Sequence, residues 1–166
     1  MNTSPRSYAS FRFLAFLIIC LIFAACSEPK EPWDLHTEQG LSLMDQGKFP
    51  EAEKELKAAL ALVRSSGPTD PRLPQSLTNL AILSNAQGNP EQAETYLLET
   101  IQLQEQGPNP QSVELAASLR NLGALHVTQR EYDKALEAFE RGLAVREQAV
   151  GKDDPEVVRY LENIAG

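Results

Sequence analysis

"SLTNLAIL" at Ser76–Leu83 and "SLRNLGAL" at Ser118–Leu125 are one phrase written twice, 42 residues apart, and "YLENIAG" at Tyr160–Gly166 echoes it. Asn79, Asn121 and Asn163 hold the same place in all three copies. Leu77, Leu80, Ala81 and Ser84 in the first copy, and Leu119, Leu122, Gly123 and His126 in the second, recur at the three- and four-residue steps of a helix face. Further columns run on both sides of the phrase. Gly47, Gly88 and Arg130 are spaced by 41 and 42 residues, as are Gly40, Ala81 and Gly123; Ala52, Ala93 and Ala135; Leu56, Leu97 and Phe139; and Leu60, Ile101 and Leu143. A period in this range, kept over several columns, indicates stacked supersecondary units.

Each unit reads as two helices around a short turn, such as "QGNPEQ" in the second. The breaks between units, "SSGPTDPRLP", "QGPNPQ" and "GKDDPE", are rich in Pro and Gly. Asn109-Pro110 and Asp154-Pro155 are each expected to set a capping side chain before a first-turn proline. Gly40, Ala81 and Gly123, with Ala52, Ala93 and Ala135, are expected to let the two helices of a unit approach closely.

These columns resemble the tetratricopeptide repeat. Unit three carries Leu122-Gly123, Tyr132, Ala135 and Phe139, and unit one carries Gly40, Gly47, Phe49, Ala52, Leu56 and Ala59. Unit two departs at Pro90 and Thr100, and His126 stands where the family has an aromatic. The period exceeds the usual 34 residues of this repeat, and the stretch Gly142–Gly166 resembles the longer variety of kinesin light chains. The resemblance implies an all-α solenoid: repeat one at 33–72, repeat two at 73–114, repeat three at 115–152 and a C-terminal capping helix at 153–166.

The N-terminus is of another kind. Arg6 and Arg12 precede an unbroken apolar run, Phe13–Ala25. The run is shorter than the ~20 residues of a membrane-spanning helix. A basic start, a short apolar core and a small-residue end describe a secretory signal peptide at residues 1–25. "FAAC" resembles the lipobox of bacterial lipoproteins, with Phe23 where Leu is usual, which implies a lipid on Cys26. Cys20 lies within the segment to be removed, so Cys26 would remain alone, without an intramolecular disulfide. Residues 26–32 then read as lipidated cysteine and Pro-rich tether. By the same resemblance, Ser27 suggests the outer membrane of a bacterial cell envelope, facing the periplasm.

Loss of Arg6 and Arg12 leaves 13 − 23 = −10 in net charge, which argues against nucleic acid and suits a partner with a basic patch. His36 and His126 have no further donors at metal spacing, and no phosphate loop or nucleophile motif is present. No catalytic residue, metal or cofactor is expected. "PEAEKELK" and "REYDKALEAFER" read as opposite-sign pairs on solvated faces.

The asparagines are the candidate site. A residue one before a core Leu is turned about 100° from it, and an amide side chain offers both a donor and an acceptor. The family resemblance places that side of the first helix in a concave, peptide-holding groove. The expected partner-binding set is Glu38, Thr78, Asn79, Asn85, Arg120, Asn121 and Asn163. The expected function is a membrane-anchored scaffold binding a protein or peptide. The alternative is a structural solenoid whose open ends stack into homo-oligomers.

Overall fold

The computed structural model describes residues 30–165. Residues 1–29, which hold the expected signal peptide, Cys26 and most of the tether, lie outside them. Among the described residues there are seven helices and no strand. They are α1 (Pro32–Asp45), α2 (Phe49–Ser66), α3 (Leu73–Ala86), α4 (Pro90–Gln106), α5 (Val113–Thr128), α6 (Tyr132–Val150) and α7 (Pro155–Ala165). Pro32, read above as tether, begins α1 instead. Each helix packs chiefly on its neighbours in sequence, and α1 also reaches α3, the pattern of a solenoid.

The column Gly47, Gly88 and Arg130 explains how each pair of helices turns. All three residues adopt a left-handed backbone, with φ of 73°, 79° and 62°. The N–H groups of Lys48, Asn89 and Glu131 each return to a carbonyl five residues back, on Leu43, Ser84 and His126, at 2.9 Å. This is the Schellman ending, which favours glycine because a Cβ is strained there. Arg130 bears that strain. Arg130→Gly should therefore raise stability by about 1 kcal/mol, read as a higher midpoint in urea with an unchanged slope. A fall in midpoint would show that the Arg130 side chain contributes more than its backbone costs.

The expected caps divide. Asp154 Oδ1 accepts from the backbone N–H of Glu156 at 2.9 Å, as a cap should. Asn109 does not cap. The chain runs on to Ser112, whose Oγ accepts from the N–H of Leu115 at 3.1 Å and starts α5. A serine at this place satisfies a helix donor that Pro110, three residues too early, leaves untouched.

Two apolar clusters fill the stack. Leu56, Leu60, Val63, Leu77, Leu80 and Leu83 anchor one; Leu97, Ile101, Leu115, Leu119 and Leu125 anchor the other; Tyr96 touches both. Each sealed leucine contributes about 1.5–3 kcal/mol. The small column sits where helices close within a repeat. A Cβ added at Gly40 would stand 2.6 Å from Leu56 Cγ, and one at Gly123 would stand 2.6 Å from Phe139 Cε1. The acidic and basic runs pair along their helices as expected, through Glu53 with Lys57 and Glu131 with Lys134. No helix among the described residues is long and apolar enough to cross a membrane.

Candidate functional site: an open seam between two closed ones

The first helices of successive units, α1, α3, α5 and α7, meet along three seams. The first seam is filled by an aromatic ring. Trp33 Nε1 donates to Ser76 Oγ at 2.9 Å, and the Arg72 guanidinium lies over the indole at 5.6 Å. Arg72 is itself held by Asp70, through Nη2 to Oδ2 at 2.8 Å, Nε to Oδ1 at 3.0 Å and the Arg72 backbone N–H to Oδ1 at 2.9 Å. The Arg72 side chain, followed by its backbone N–H, draws the Asp70 carboxyl down to about 2.

The third seam is filled in the same manner from the other side. Tyr160 of α7 is 1% exposed, and Arg120 of α5 lies over its ring at 5.8 Å. Arg120 Nη1 also meets Glu156 Oε2 at 2.9 Å. Burial pushes the Tyr160 phenol up, with Arg120 pulling the other way.

The middle seam has neither plug. By the 41- and 42-residue register, Pro74 stands for Trp33, Ser118 for Tyr160, and Thr78 for Arg120. Three small or short side chains replace two rings and a guanidinium. The result is a cleft of about 870 Å³ walled by α3, α5, the end of α4 and the loops before α3 and α5. That volume lies in the range of small-molecule and peptide sites. Its apolar wall comes from Leu73, Leu103, Ala117, Pro68, Pro71, Pro74 and Pro108. Asp70 and Glu114 line it, and no Lys or Arg does.

The polar groups inside differ in how far they are already used. Thr78 Oγ1 donates to Pro74 O at 2.9 Å, and Ser118 Oγ donates to Glu114 O at 3.1 Å, so both hydroxyls keep only acceptor capacity. Gln104 Oε1 is buried with no hydrogen-bond partner. Asn121 is half-buried and lines the cleft. A buried acceptor left unpaired is costly, on the order of 1–3 kcal/mol.

The asparagine column is therefore not one surface. Asn121 and Thr78 line the cleft together. Asn79, one unit earlier, is only 8% exposed, and its Nδ2 has no partner. It lies one turn along α3 from Ser76, the residue that Trp33 meets. Asn79 is thus within the packing, where the sequence suggested a side chain turned away from it. Asn163 and Glu38 are exposed, Asn85 is exposed and outside the cleft, and Arg120 is occupied by Tyr160 and Glu156. The sequence reading missed Gln104, although its column, Val63, Gln104 and Arg146, puts an amide where unit one has a sealed valine. It also missed Trp33 and Tyr160, which occur once each in their columns and so leave no periodic trace.

Both histidines serve structure. His36 Nδ1 meets Glu55 Oε2 at 2.7 Å across α1 and α2. His126, 4% exposed, meets Glu131 Oε2 at 2.9 Å through Nδ1 and fastens the end of α5 to the start of α6. No group of three or more metal-binding side chains occurs among the described residues.

A family model described as Tetratricopeptide repeat matches residues 34–106, 74–148 and 114–166, nearly all of the described chain. The chain belongs to the tetratricopeptide repeat family. Among solved structures, BtubC (BKLC) from P. vanneervenii superposes with a TM-score of 0.72 at 22% identity, over 96% of this chain and 65% of that one. A putative kinesin light chain from Podosopora anserina, with nearly identical tetratricopeptide-like repeats, gives 0.70 at 18% identity, over 83% of this chain and 66% of that one. This chain thus spans just under two thirds of the length of both. The first tetratricopeptide domain of Spaghetti (RPAP3), solved with the HSP90 peptide SRMEEVD, gives 0.57 at 18% identity, over 84% of this chain and 95% of that one. At these identities the likeness is one of fold. A search of curated proteins finds no match. Proteins of the tetratricopeptide family generally mediate protein–protein interactions.

Proposed function

We propose that the middle-seam cleft holds a short extended segment of a partner protein, on a module tethered to a membrane through lipid at Cys26. The observation that carries the binding half is the open seam between two closed ones, with Asn121 half-buried at its wall. Asn121 offers a donor and an acceptor to a peptide unit of the segment, and prolines supply apolar contact. Spaghetti's domain, with its bound peptide, supports this class of ligand by analogy of fold. The ligand chemistry differs here. Asp70 is neutralised by Arg72, so Glu114, with no Lys or Arg in the lining, leaves the cleft weakly negative, which disfavours an acidic segment and suits a neutral or basic one.

Peptides enriched from a random linear display library on the full chain in detergent provide the test. Asn121→Ala should weaken the selected peptides about tenfold, the loss of one or two peptide hydrogen bonds. Asn79→Ala should leave their affinity unchanged and stability equal or higher, because its Nδ2 is already unpaired. Equal losses in both variants would return the asparagines to a single binding column. No enrichment at all would remove the cleft from consideration.

The tether rests on the sequence: the apolar run Phe13–Ala25, the "FAAC" resemblance and the isolation of Cys26 after cleavage. The setting proposed with it is the bacterial cell envelope, at the periplasmic face of the outer membrane. Cys26→Ser should shift the protein out of the membrane fraction or leave it uncleaved. Unchanged fractionation of a cleaved chain would contradict lipidation.

A further inference from the structure

We propose that the middle-seam cleft takes a tryptophan side chain of the partner segment, seated on Ser118 as Trp33 is seated on Ser76. This rests on the cleft being a peptide site. The first seam supplies the template. Ser76, 2% exposed, donates its hydroxyl proton to Arg72 O at 3.1 Å and accepts from Trp33 Nε1 at 2.9 Å. Ser118, its counterpart 42 residues on, is 4% exposed and donates to Glu114 O at the same 3.1 Å. That bond spends the proton and leaves Ser118 Oγ an acceptor only. Ser118 lines the cleft, and so does Pro74, which stands at the place of Trp33 with neither a ring nor an N–H. The seat for an indole is kept, and the indole is gone.

The chemistry of the seat selects its occupant. An indole N–H donates and does not accept, which matches an oxygen whose proton is already used. A phenylalanine ring would fill the space and leave that oxygen unmet. A backbone N–H would meet the oxygen and leave empty the volume that a ring occupies in both closed seams.

The same comparison places a cation on the ligand. Both closed seams stack a guanidinium on the ring, Arg72 on Trp33 at 5.6 Å and Arg120 on Tyr160 at 5.8 Å. In the middle seam Glu114 stands where Arg72 does, and the lining has no Lys or Arg. A Lys or Arg close to the tryptophan in the segment therefore covers the ring and faces Glu114. A second copy of this chain is not the source, because its one tryptophan is Trp33, already held by Ser76. Free tryptophan fits less well, since its carboxylate would enter a cleft that has Glu114 and no cation.

Peptides selected from the display library on the full chain in detergent test this. Tryptophan should be fixed at one position of the enriched sequences, with Lys or Arg nearby. Replacing it with 3-benzothienylalanine keeps the fused rings and removes the N–H; affinity should fall about five- to tenfold by fluorescence anisotropy. In Ser118→Ala, shown folded by circular dichroism, the same replacement should change affinity less than about twofold. Without any variant, the indole N–H of the bound peptide should exchange with water more slowly than in the free peptide. Glu114→Gln should weaken binding about threefold. Enriched peptides without tryptophan would overturn the anchor and leave the cleft a peptide site, whereas no enrichment would remove both. Ser118 is not the seat if the benzothienylalanine loss is equal in the native and Ser118→Ala chains, or if the indole N–H exchanges as in the free peptide. Unchanged binding in Glu114→Gln would overturn the role of the cation. Free tryptophan that displaces the peptides at their own concentration would overturn the partner segment as its source.

Discussion

Gly123→Leu lowers the stability of the folded chain by about 3 kcal/mol and its thermal midpoint by roughly 10 °C. Even the first added carbon would stand 2.6 Å from Phe139 Cε1 and 2.7 Å from Cδ1. Phe139 is 3% exposed, so the ring has nowhere to swing. Relief then requires α5 and α6 to part, which loosens the cluster around Leu119 and Leu122 that both helices build. The cause is separable from a general intolerance of the site. Gly123→Ala alone should cost about 1–2 kcal/mol, and most of that should disappear when Phe139→Leu is already present, a coupling that a double-mutant cycle reads directly. Additive losses would mean that Phe139 is not what Gly123 makes room for.

Pro74→Trp should close the cleft and abolish binding of the library-selected peptides, a loss of at least about tenfold, with the fold unchanged. The substitution copies the first seam into the second. Trp33 is the second residue of α1, and Pro74 is the second residue of α3. The acceptor that Trp33 uses, Ser76, has its counterpart in Ser118, already at the cleft wall. The one missing part is the cation. Arg72, which lies over the Trp33 ring, has Glu114 as its counterpart in register. A tryptophan at 74 thus fills the space without the stacking, so its gain in stability should be smaller than the loss from Trp33→Ala. Binding that persists in Pro74→Trp with the indole shown buried by its fluorescence would place the ligand elsewhere.

The fold was legible because packing between stacked units repeats. Leu56 and Phe139 face Gly40 and Gly123, and Leu97 and Ala81, one unit between, share a cluster, so period and helix faces were readable. The turn column was legible too, with Arg130 taking the left-handed backbone of Gly47 and Gly88. The site was only half legible, since a cleft in a repeat protein is a departure from the repeat. Asn79 and Asn121 are the same letter at the same place, yet Trp33 covers the seam at one and Pro74 leaves it open at the other. What decides the fate of each asparagine lies one helix away, in a column that reads Trp33, Pro74, Ala116 and shows no pattern. Gln104 escaped notice for a related reason: what sets it apart is a sealed, unpartnered oxygen, a property of surroundings and not of residue type.

The open middle seam is tested most directly by a photo-crosslinking side chain placed in turn at Asn121, inside the cleft, and at Asn85, exposed and outside it. Both variants are made in the full chain and irradiated in the cells that produce it. A discrete protein adduct should form from position 121, be absent from position 85, and vanish from 121 when Pro74→Trp is added. Adducts of equal yield from both positions, or an adduct at 121 that survives Pro74→Trp, would contradict a binding site in the middle seam.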